Sequence, residues 1–332
     1  ILGKQLKGGK FQDFNFLSPP ELLNGVYYNI MIEGTDLAGN KSEVMVVDRL
    51  LYDTVPPQFI DLKPFEGEYI KEPVISYTIT EDLATGKIYF DYIGGENDPK
   101  ATHMITLAGS KKQKGIRGGK LPSSFISLTN GAIYNIRFEG EDAAGNSASE
   151  TIINNITFDN ELPIILINEP INKSFFNNRI FSYSLSEDLV ETNIVITREA
   201  GNPDSNSPHK ISLKGDYLKS GDRLISDIEW VDGSTYSVTM IGIDRAGNNP
   251  SKISTLSQIS YDITPPIITI NNINNNNHIR LNTLSYALSE KISKSTIYFT
   301  QVGGAPDPSS PQTIELVGRE LDEGTFNNIK LK

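Results

Sequence analysis

One five-residue pattern, Asp-x-Ala-Gly-Asn, occurs three times in the chain and sets the scale on which it folds. Its copies begin at Asp36, Asp142 and Asp244, so they lie 106 and 102 residues apart. A strand-like stretch follows each copy and ends in an aromatic residue and an aspartate. A period of about one hundred residues is the size of a small domain. The sequence therefore predicts a tandem array of similar domains.

The period divides the 332 residues into two full repeats and two partial ones. The full repeats are residues 54–159 and 160–262. Residues 1–53 correspond to the C-terminal half of a repeat, and residues 263–332 correspond to the N-terminal part of another. The sequence begins and ends at about the same phase of the repeat. We therefore expect it to be a piece of a longer array whose signal and anchor lie elsewhere.

Short stretches of alternating apolar and polar residues fill each repeat, as half-buried strands require. Turn-forming residues separate these stretches, and no segment has a sustained helical period. In the second full repeat the predicted strands are residues 164–167, 181–185, 193–197, 211–213, 224–230, 236–243 and 253–261. Seven short antiparallel strands in about one hundred residues predict an all-β fold built from immunoglobulin-like sandwiches.

Tyrosines and glycines recur at fixed places in the repeat. A tyrosine stands at the start of each sixth strand, where the tyrosine corner of such sandwiches lies. We expect its ring to fill the edge of the core and its hydroxyl to bond to the backbone. The glycine of each Asp-x-Ala-Gly-Asn copy is expected to take a positive φ in a turn. These structural residues are Tyr28, Tyr134, Tyr236, Gly39, Gly145 and Gly247.

These motifs together resemble the bacterial Ig-like and fibronectin type III-like repeats of large cell-surface proteins and adhesins. The resemblance rests on Gly-x-x-Tyr, Asp-x-Ala-Gly-Asn, and the Tyr-Asp-x-x-Pro-Pro runs at residues 52–57 and 261–266. It covers the whole chain and implies an extracellular or cell-surface location. Repeats of this kind serve as stalks, binding modules and enzyme appendages, so the resemblance points to a fold more sharply than to a function.

Composition excludes several classes of function. The chain has no cysteine, which excludes disulfides, zinc–thiolate sites and thiol nucleophiles. The net charge is −11 and the basic residues are not clustered, so we expect no nucleic-acid partner. No apolar run reaches the roughly eighteen residues that a membrane-spanning helix needs, so no membrane span is predicted.

The chain is predicted not to be an enzyme. Its three histidines, His103, His209 and His278, do not recur in register and are predicted to be surface residues in or near loops. No serine lies in a Gly-x-Ser-x-Gly setting. The glycine pair at residues 94–95 follows a strand but opens no helix, so it predicts a hairpin loop rather than a phosphate site.

Acidic and amide residues are predicted to converge where one repeat meets the next. In an antiparallel sandwich the linker, the end of the second strand and the turn between the sixth and seventh strands share one pole. The candidate metal ligands are Asp53, Glu81, Asp82, Asp142 and Asn146 at the first junction, Asp159, Glu187, Asp188, Asp244 and Asn248 at the second, and Asp262 and Glu290 at the third. Hard oxygen ligands of this kind suit Ca²⁺, which takes about six to eight of them.

Ordinary turn chemistry is the alternative for the same residues. Aspartate caps its own backbone in turns, and asparagine is a common turn residue, so a repeated turn also repeats these positions. The third junction has Lys291 where the other two have Asp82 and Asp188, which weakens a site common to all junctions. The sequence leaves both interpretations open.

The linkers and the missing catalytic residues favour a structural role. Paired prolines at residues 56–57 and 265–266 fix φ and make short, stiff connections, which predict an elongated array. The function predicted is a stalk, filament or surface-layer component whose partners are neighbouring repeats of the same or identical chains. The alternatives are modules that bind a surface glycan or protein, and accessory repeats of a secreted enzyme.

Overall fold

The computed structural model describes residues 18–121, 126–250, 252–271, 273 and 283–330. Their regular structure is β-strand, apart from short 3₁₀ turns at Gly109–Lys112, Gly215–Leu218 and Gly318–Leu321. The strands form several sheets that pack in pairs, as the alternating sequence requires. The predicted all-β fold of tandem sandwiches is confirmed.

Residues 18–53 contribute one antiparallel hairpin. Strand β1 (Val26–Ile32) pairs with β2 (Met45–Tyr52), and a bulge interrupts their register between Tyr28 and Ile30. The Asp-x-Ala-Gly-Asn turn that begins at Asp36 lies between the two strands. This hairpin corresponds to the last two strands of each full repeat.

Residues 54–159 form a complete sandwich. Its strands are β3 (Phe59–Lys63), β4 (Tyr69–Ile70), β5 (Val74–Ile79), β6 (Thr85–Gly95), β7 (His103–Thr106), β8 (Gly115–Lys120), β9 (Ala132–Glu141) and β10 (Thr151–Phe158). One sheet has the order β3-β5-β8, and the other has the order β4-β10-β9-β6-β7.

Residues 160–262 repeat this topology. The strands are β11 (Ile165–Glu169), β12 (Phe175–Phe176), β13 (Phe181–Leu185), β14 (Leu189–Gly201), β15 (His209–Ser212), β16 (Gly221–Ile225), β17 (Ser234–Asp244) and β18 (Ser254–Tyr261). The sheet orders are β11-β13-β16 and β12-β18-β17-β14-β15.

The described residues after 262 form the first part of a further sandwich. The strands are β19 (Ile268–Ile270), β20 (Thr283–Leu288), β21 (Thr296–Phe299), β22 (Gln312–Glu315) and β23 (Gly324–Lys330). They make a three-stranded sheet, β19-β20-β23, and a two-stranded sheet, β21-β22.

Two of the differences from the strand prediction change how the chain packs. The first strand of each full repeat divides, and its second piece (β4 or β12) crosses to the other sheet and pairs in parallel with the last strand. Phe176 of β12 packs there on Trp230 and Tyr261, with ring centroids 5.0 and 5.3 Å apart. The strand predicted over 224–230 ends at Ile225, because the following residues carry Trp230 into the core without sheet pairing.

Aromatic and aliphatic side chains from both sheets fill each complete sandwich. In the first, the rings of Phe59, Tyr77 and Phe138 contact one another with centroids 5.3–5.8 Å apart. In the second, Trp230 packs against Tyr236 at 5.1 Å. Burying aromatic residues of this size supplies a large share of the driving force for folding a small domain.

The recurring tyrosines form backbone contacts across the corner before β1, β9 and β17. The Tyr28, Tyr134 and Tyr236 hydroxyls accept hydrogen bonds from backbone N–H groups five residues earlier, over 2.8, 3.0 and 2.9 Å. In the two full repeats the same hydroxyl also donates to a carboxylate, that of Asp98 over 2.6 Å or Asp204 over 2.9 Å. Each tyrosine thereby joins two loops of its sandwich.

The prediction that His103 and His209 are surface residues is wrong. His103 is buried at the start of β7, and its Nε2 lies 2.6 Å from Asp98 Oδ2. His209 is half-buried, and its Nε2 lies 2.7 Å from Asp204 Oδ2. The loops before β7 and β15 fold the aspartate back over the tyrosine corner, and a donor from the strand completes its hydrogen bonding. His278 lies outside the described residues.

The corresponding aspartate of the last partial repeat has a different donor. There Gln312 Nε2 donates to Asp307 Oδ2 over 3.0 Å. In the first repeat, burial alone raises the pKa of Asp98, but hydrogen bonds from Tyr134 and His103 lower it to about 2. The site therefore requires a hydrogen-bond donor for the carboxylate rather than a histidine.

Replacing His103 should show whether stability depends on its hydrogen bond to Asp98 or on the packing of its ring. His103→Leu leaves the Asp98 carboxylate with one donor fewer, and we expect a loss of about 2 kcal/mol in the stability of the first full repeat. His103→Gln keeps a donor, as Gln312 does, and should cost less than about 1 kcal/mol. Hydrogen exchange of the core amides of β6 and β9 measures the loss of stability in both variants. Equal losses for the two variants would contradict the role given to the hydrogen bond.

Candidate functional site at the repeat junctions

The Asp-x-Ala-Gly-Asn segment forms a turn closed by its own aspartate. In the first full repeat Asp142 Oδ1 accepts from the N–H groups of Ala144 and Asn146 over 2.8 and 2.9 Å, and Oδ2 accepts from Asn146 Nδ2 over 2.8 Å. Gly145 has φ +91°, which glycine adopts without a steric penalty. The sequence folds this way because aspartate, glycine and asparagine each satisfy a separate requirement of the turn.

The asparagine of the turn connects neighbouring repeats. Asn146 Nδ2 also donates to the backbone carbonyl of Asp53, in the preceding linker, over 3.1 Å. At the second junction Asn248 Nδ2 donates to the Asp159 carbonyl over 2.9 Å and to Asp244 Oδ2 over 2.8 Å. The two junctions thus share one contact that holds the turn of a repeat against the chain that enters it.

Three carboxylates meet at each of these junctions. Asp53, Glu81 and Asp142 each place an oxygen within 4.8 Å of the others, and so do Asp159, Glu187 and Asp244. The three come from the linker, the end of the second strand and the turn. These six residues therefore converge at the junctions, as the sequence predicted.

The remaining predicted ligands take other positions. Asp82 Oδ1 accepts from the Lys114 backbone over 2.7 Å, and Asp188 accepts from Ser220 N over 3.0 Å, so both acids bond to the chain before β8 and β16. Asn146 and Asn248 face the cluster aspartates through their Nδ2 donors. At the third junction Asp262 and Glu290 line one cavity together with Pro265 and Lys291.

The clustered carboxylates repel one another. Burial, with the charges of Asp159 and Asp244, raises the pKa of Glu187 to about 7. Burial, with the charges of Asp53 and Asp142, also raises the pKa of Glu81. By contrast, hydrogen bonds from Asn146 and Ala144 outweigh burial and lower the pKa of Asp142. The first junction therefore places a turn aspartate with a lowered pKa beside a glutamate with a raised pKa.

The donor chemistry of both clusters fits a hard divalent cation. Carboxylate oxygens from three side chains lie within 4.8 Å of one another, and Ca²⁺ binds such oxygens together with backbone carbonyls and water. A cation there would relieve the repulsion that, together with burial, raises the pKa of Glu187. No sulfur or histidine ligand is among the cluster residues, which disfavours zinc.

The second junction also has basic residues that the sequence analysis did not identify. Lys71 Nζ donates to the Gly247 carbonyl over 2.6 Å, which joins the first full repeat to the turn of the second. The guanidinium of Arg245 lies 5.5 Å from the centre of the Tyr69 ring and 3.8 Å from Asp188. The sequence contains one signal for this difference, since Ala143 occupies the position of Arg245 in the other full repeat.

The family comparison tests the resemblance seen in the sequence. Residues 225–328 match the family model described as bacterial Ig-like domain (group 3). The predicted resemblance to bacterial Ig-like repeats is confirmed. The matched stretch is about one repeat long and crosses the junction at Asp262, so it joins the end of one sandwich to the start of the next. No curated protein matches the chain.

Several solved structures are similar to this Ig-like chain. Fibronectin domains FN1–FN3 of chicken CNTN1 share 13% identity, cover 72% of this chain and 78% of theirs, and give a TM-score of 0.34. A tetra-tandem repeat in the extending region of a large adhesion protein shares 16% identity, covers 92% of this chain and 74% of its own, and gives a TM-score of 0.30. A Ca²⁺-stabilised adhesin of an Antarctic bacterium shares 12% identity, covers 88% of this chain and 74% of its own, and gives a TM-score of 0.27.

Among the described residues, no helix is both long enough and apolar enough to cross a bilayer.

The acidity of the second junction predicts how its stability depends on pH. Because the folded-state pKa of Glu187 is raised to about 7, the folded state binds a proton that the unfolded chain releases at lower pH. In chelator, the second full repeat should therefore lose stability as the pH rises from about 5 to 8, by roughly 1–2 kcal/mol after screening by solvent.

Thermal melting of the chain in chelator across this range measures the effect. Glu187→Gln should flatten the pH dependence, whereas Glu199→Gln, at an exposed position on β14, should leave it unchanged. A Glu187→Gln chain with the original pH dependence would contradict the assignment.

Proposed function

We propose that this chain is a non-catalytic structural segment of an extracellular or cell-surface protein, in which Ig-like repeats act as a stiff spacer. The observation that supports this most directly is the contact repeated at both junctions, where the turn asparagine donates to the linker carbonyl. A spacer needs the same end-to-end contact at every junction, and it needs no catalytic group.

The linkers support the same proposal. Pro57 and Pro163, which precede the first strands of the full repeats, are buried rather than free in solvent. Proline fixes φ, so a short linker with a packed proline has few conformations to lose. The junctions thereby limit the angles available between neighbouring sandwiches.

We further propose that Ca²⁺ binds between the repeats and stiffens them. The ligands would be Asp53, Glu81 and Asp142 at the first junction and Asp159, Glu187 and Asp244 at the second. Each set takes one carboxylate from the linker and two from the sandwich that follows. A cation held by both parts opposes bending of the linker, because bending separates its ligands.

We propose a cell-surface location and a role in adhesion from the match to the bacterial Ig-like domain model rather than from any single residue. The partners proposed are neighbouring repeats of the same or identical chains, with a surface glycan or protein at a site elsewhere. The similar adhesin repeats named above are consistent with this location.

Calcium should stabilise the chain through Glu81. Binding to the folded state alone raises stability by mass action, by about 2.7 kcal/mol when free Ca²⁺ is one hundred times the dissociation constant. We expect a higher melting temperature in millimolar Ca²⁺ than in chelator. Glu81→Gln should remove the contribution of the first junction, because it deletes a ligand charge without breaking a turn.

Asp82→Asn is the matched control for this experiment. Asp82 is the next residue, but it bonds to the Lys114 backbone, and asparagine keeps that acceptor. The control chain should respond to Ca²⁺ as the unmodified chain does. An unchanged melting temperature in Ca²⁺, or equal responses from both variants, would overturn the proposed site.

Stiffening can be measured by the distance between two spin labels. The chain has no cysteine, so cysteines introduced at exposed Lys87 and Lys210 label the two full repeats specifically. Ca²⁺ should narrow the distance distribution between them by electron paramagnetic resonance. The pair Lys87 and Lys114, within one repeat, should show no change. Equal widths with and without Ca²⁺ for the first pair would exclude a calcium-stiffened spacer.

A further inference from the structure

Two basic side chains connect the two full repeats directly, in addition to the linker. Lys71 follows β4 in the first full repeat, and its Nζ donates to the backbone carbonyl of Gly247 over 2.6 Å. Arg245 lies in the turn of the second full repeat, and its Nη1 donates to the Tyr69 hydroxyl over 3.4 Å. Both contacts join residues that are 176 positions apart in sequence, so they form only where the repeats meet.

The guanidinium of Arg245 contacts a ring of one repeat and faces a carboxylate of the other. Its Cζ lies 5.5 Å from the centre of the Tyr69 ring, and its Nη2 lies 3.8 Å from Asp188 Oδ2. Asp188 is itself held in place by Lys219 Nζ over 2.8 Å and by Ser220 N over 3.0 Å. A planar guanidinium can interact with an aromatic face and a carboxylate at the same time. One side chain therefore interacts with both repeats.

The division of the first strand brings Tyr69 and Lys71 to this junction. The second piece, β4, pairs in parallel with the last two residues of β10, which directly precede the linker. Asp159 N then donates to the Ile70 carbonyl over 2.9 Å, so β4 is bonded to the end of the first repeat. On the other side, Asn248 donates to the Asp159 carbonyl over 2.9 Å. Asp159 thus holds β4 and the turn of the second repeat close together.

The fold of a repeat does not require either basic residue. Ala143 occupies the position of Arg245 in the other full repeat, and both turns close with the same hydrogen bonds between aspartate and asparagine. Asn177 occupies the position of Lys71, because β12 pairs with β18 as β4 pairs with β10. A sandwich therefore forms with or without these basic side chains. Their contacts serve the junction between the repeats rather than the repeats themselves.

We propose that Tyr69, Lys71 and Arg245 form a clasp that holds the two full repeats in one arrangement without a metal ion. The clasp rests on the spacer role proposed above, but it does not depend on the calcium sites. Each of its contacts is exposed and would be weak between separate molecules. The short linker gives the two surfaces a high effective concentration, so weak contacts are sufficient to favour one angle between the repeats.

The clasp borders the acidic cluster of the second junction. Tyr69 and Arg245 line one cavity, of about 200 Å³, together with Asp159, Glu187 and Asp188. The first repeat therefore forms part of the wall beside two of the cluster carboxylates. Because the clasp and a bound cation would hold the same two repeats, each should reduce the effect of removing the other. Loss of the clasp is therefore expected to be most visible in chelator.

The distance distribution between spin labels at Lys87 and Lys210, measured in chelator, tests the clasp. Arg245→Ala combined with Lys71→Asn introduces the residues that the chain itself holds at the equivalent positions. In this double variant the ratio of the narrow, clasped population to the broad one should fall by roughly threefold or more. Lys173→Asn is the matched control, because Lys173 is exposed between β11 and β12 and its backbone bonds to Ser257 of its own repeat.

The outcomes separate the clasp from the calcium sites. Equal distributions for the unmodified chain and the double variant in chelator would overturn the clasp, and so would an equal change in the Lys173→Asn control. If the double variant broadens the distribution but Ca²⁺ narrows it in neither chain, the clasp is supported and the calcium proposal fails. If Ca²⁺ narrows both distributions but the double variant matches the unmodified chain in chelator, the reverse holds. Hydrogen exchange of the core amides of β9 and β17 reports that both sandwiches remain folded in each variant.

Discussion

The hydrogen bonding of the turn aspartate shapes the junctions that precede the two full repeats. Asp142 and Asp244 are almost fully buried, and both hold the side chain of the asparagine four residues later. That asparagine then reaches the carbonyl of the preceding linker. One aspartate thus closes the turn and also holds the asparagine that contacts the incoming linker. Asp36 and Asn40 repeat the same turn in the first hairpin, so its shape does not require a completed sandwich.

The same arrangement has an electrostatic consequence. A buried aspartate that closes the turn lies beside the linker aspartate and the glutamate after the second strand. Burial, together with the repulsion between these carboxylates, raises the pKa of Glu81 and Glu187. The second junction offsets part of this charge with Lys71 and Arg245, which contact the neighbouring repeat. The first junction has Ala143 in place of Arg245. The acidic cluster therefore has different neighbouring charges at the two junctions, since Lys114 opposes the rise in the pKa of Glu81 at the first, whereas Glu161 and Asp188 add to the rise in the pKa of Glu187 at the second.

Most of the fold could be predicted from the sequence, because the repeat period, the alternation of strands and the turn residues are local signals. The convergence of Asp53, Glu81 and Asp142 also followed from the topology of an antiparallel sandwich. The histidines could not be placed in this way. Whether His103 lies in water or under a loop depends on how residues 94–103 fold over Tyr134, and no local pattern records that contact. Likewise, the orientation of Asp82 away from Glu81 depends on the position of the Lys114 backbone, which is distant in sequence.

Calorimetric titration of Ca²⁺ into the chelator-stripped chain tests the central claim most directly. With two complete acidic clusters among the described residues, the account predicts two binding sites per chain in the monomer. Glu81→Gln should remove one of them, and Glu81→Gln combined with Glu187→Gln should remove both. A chain that binds no Ca²⁺ at millimolar concentration, or that binds it equally well after both substitutions, would show that these residues only turn the chain.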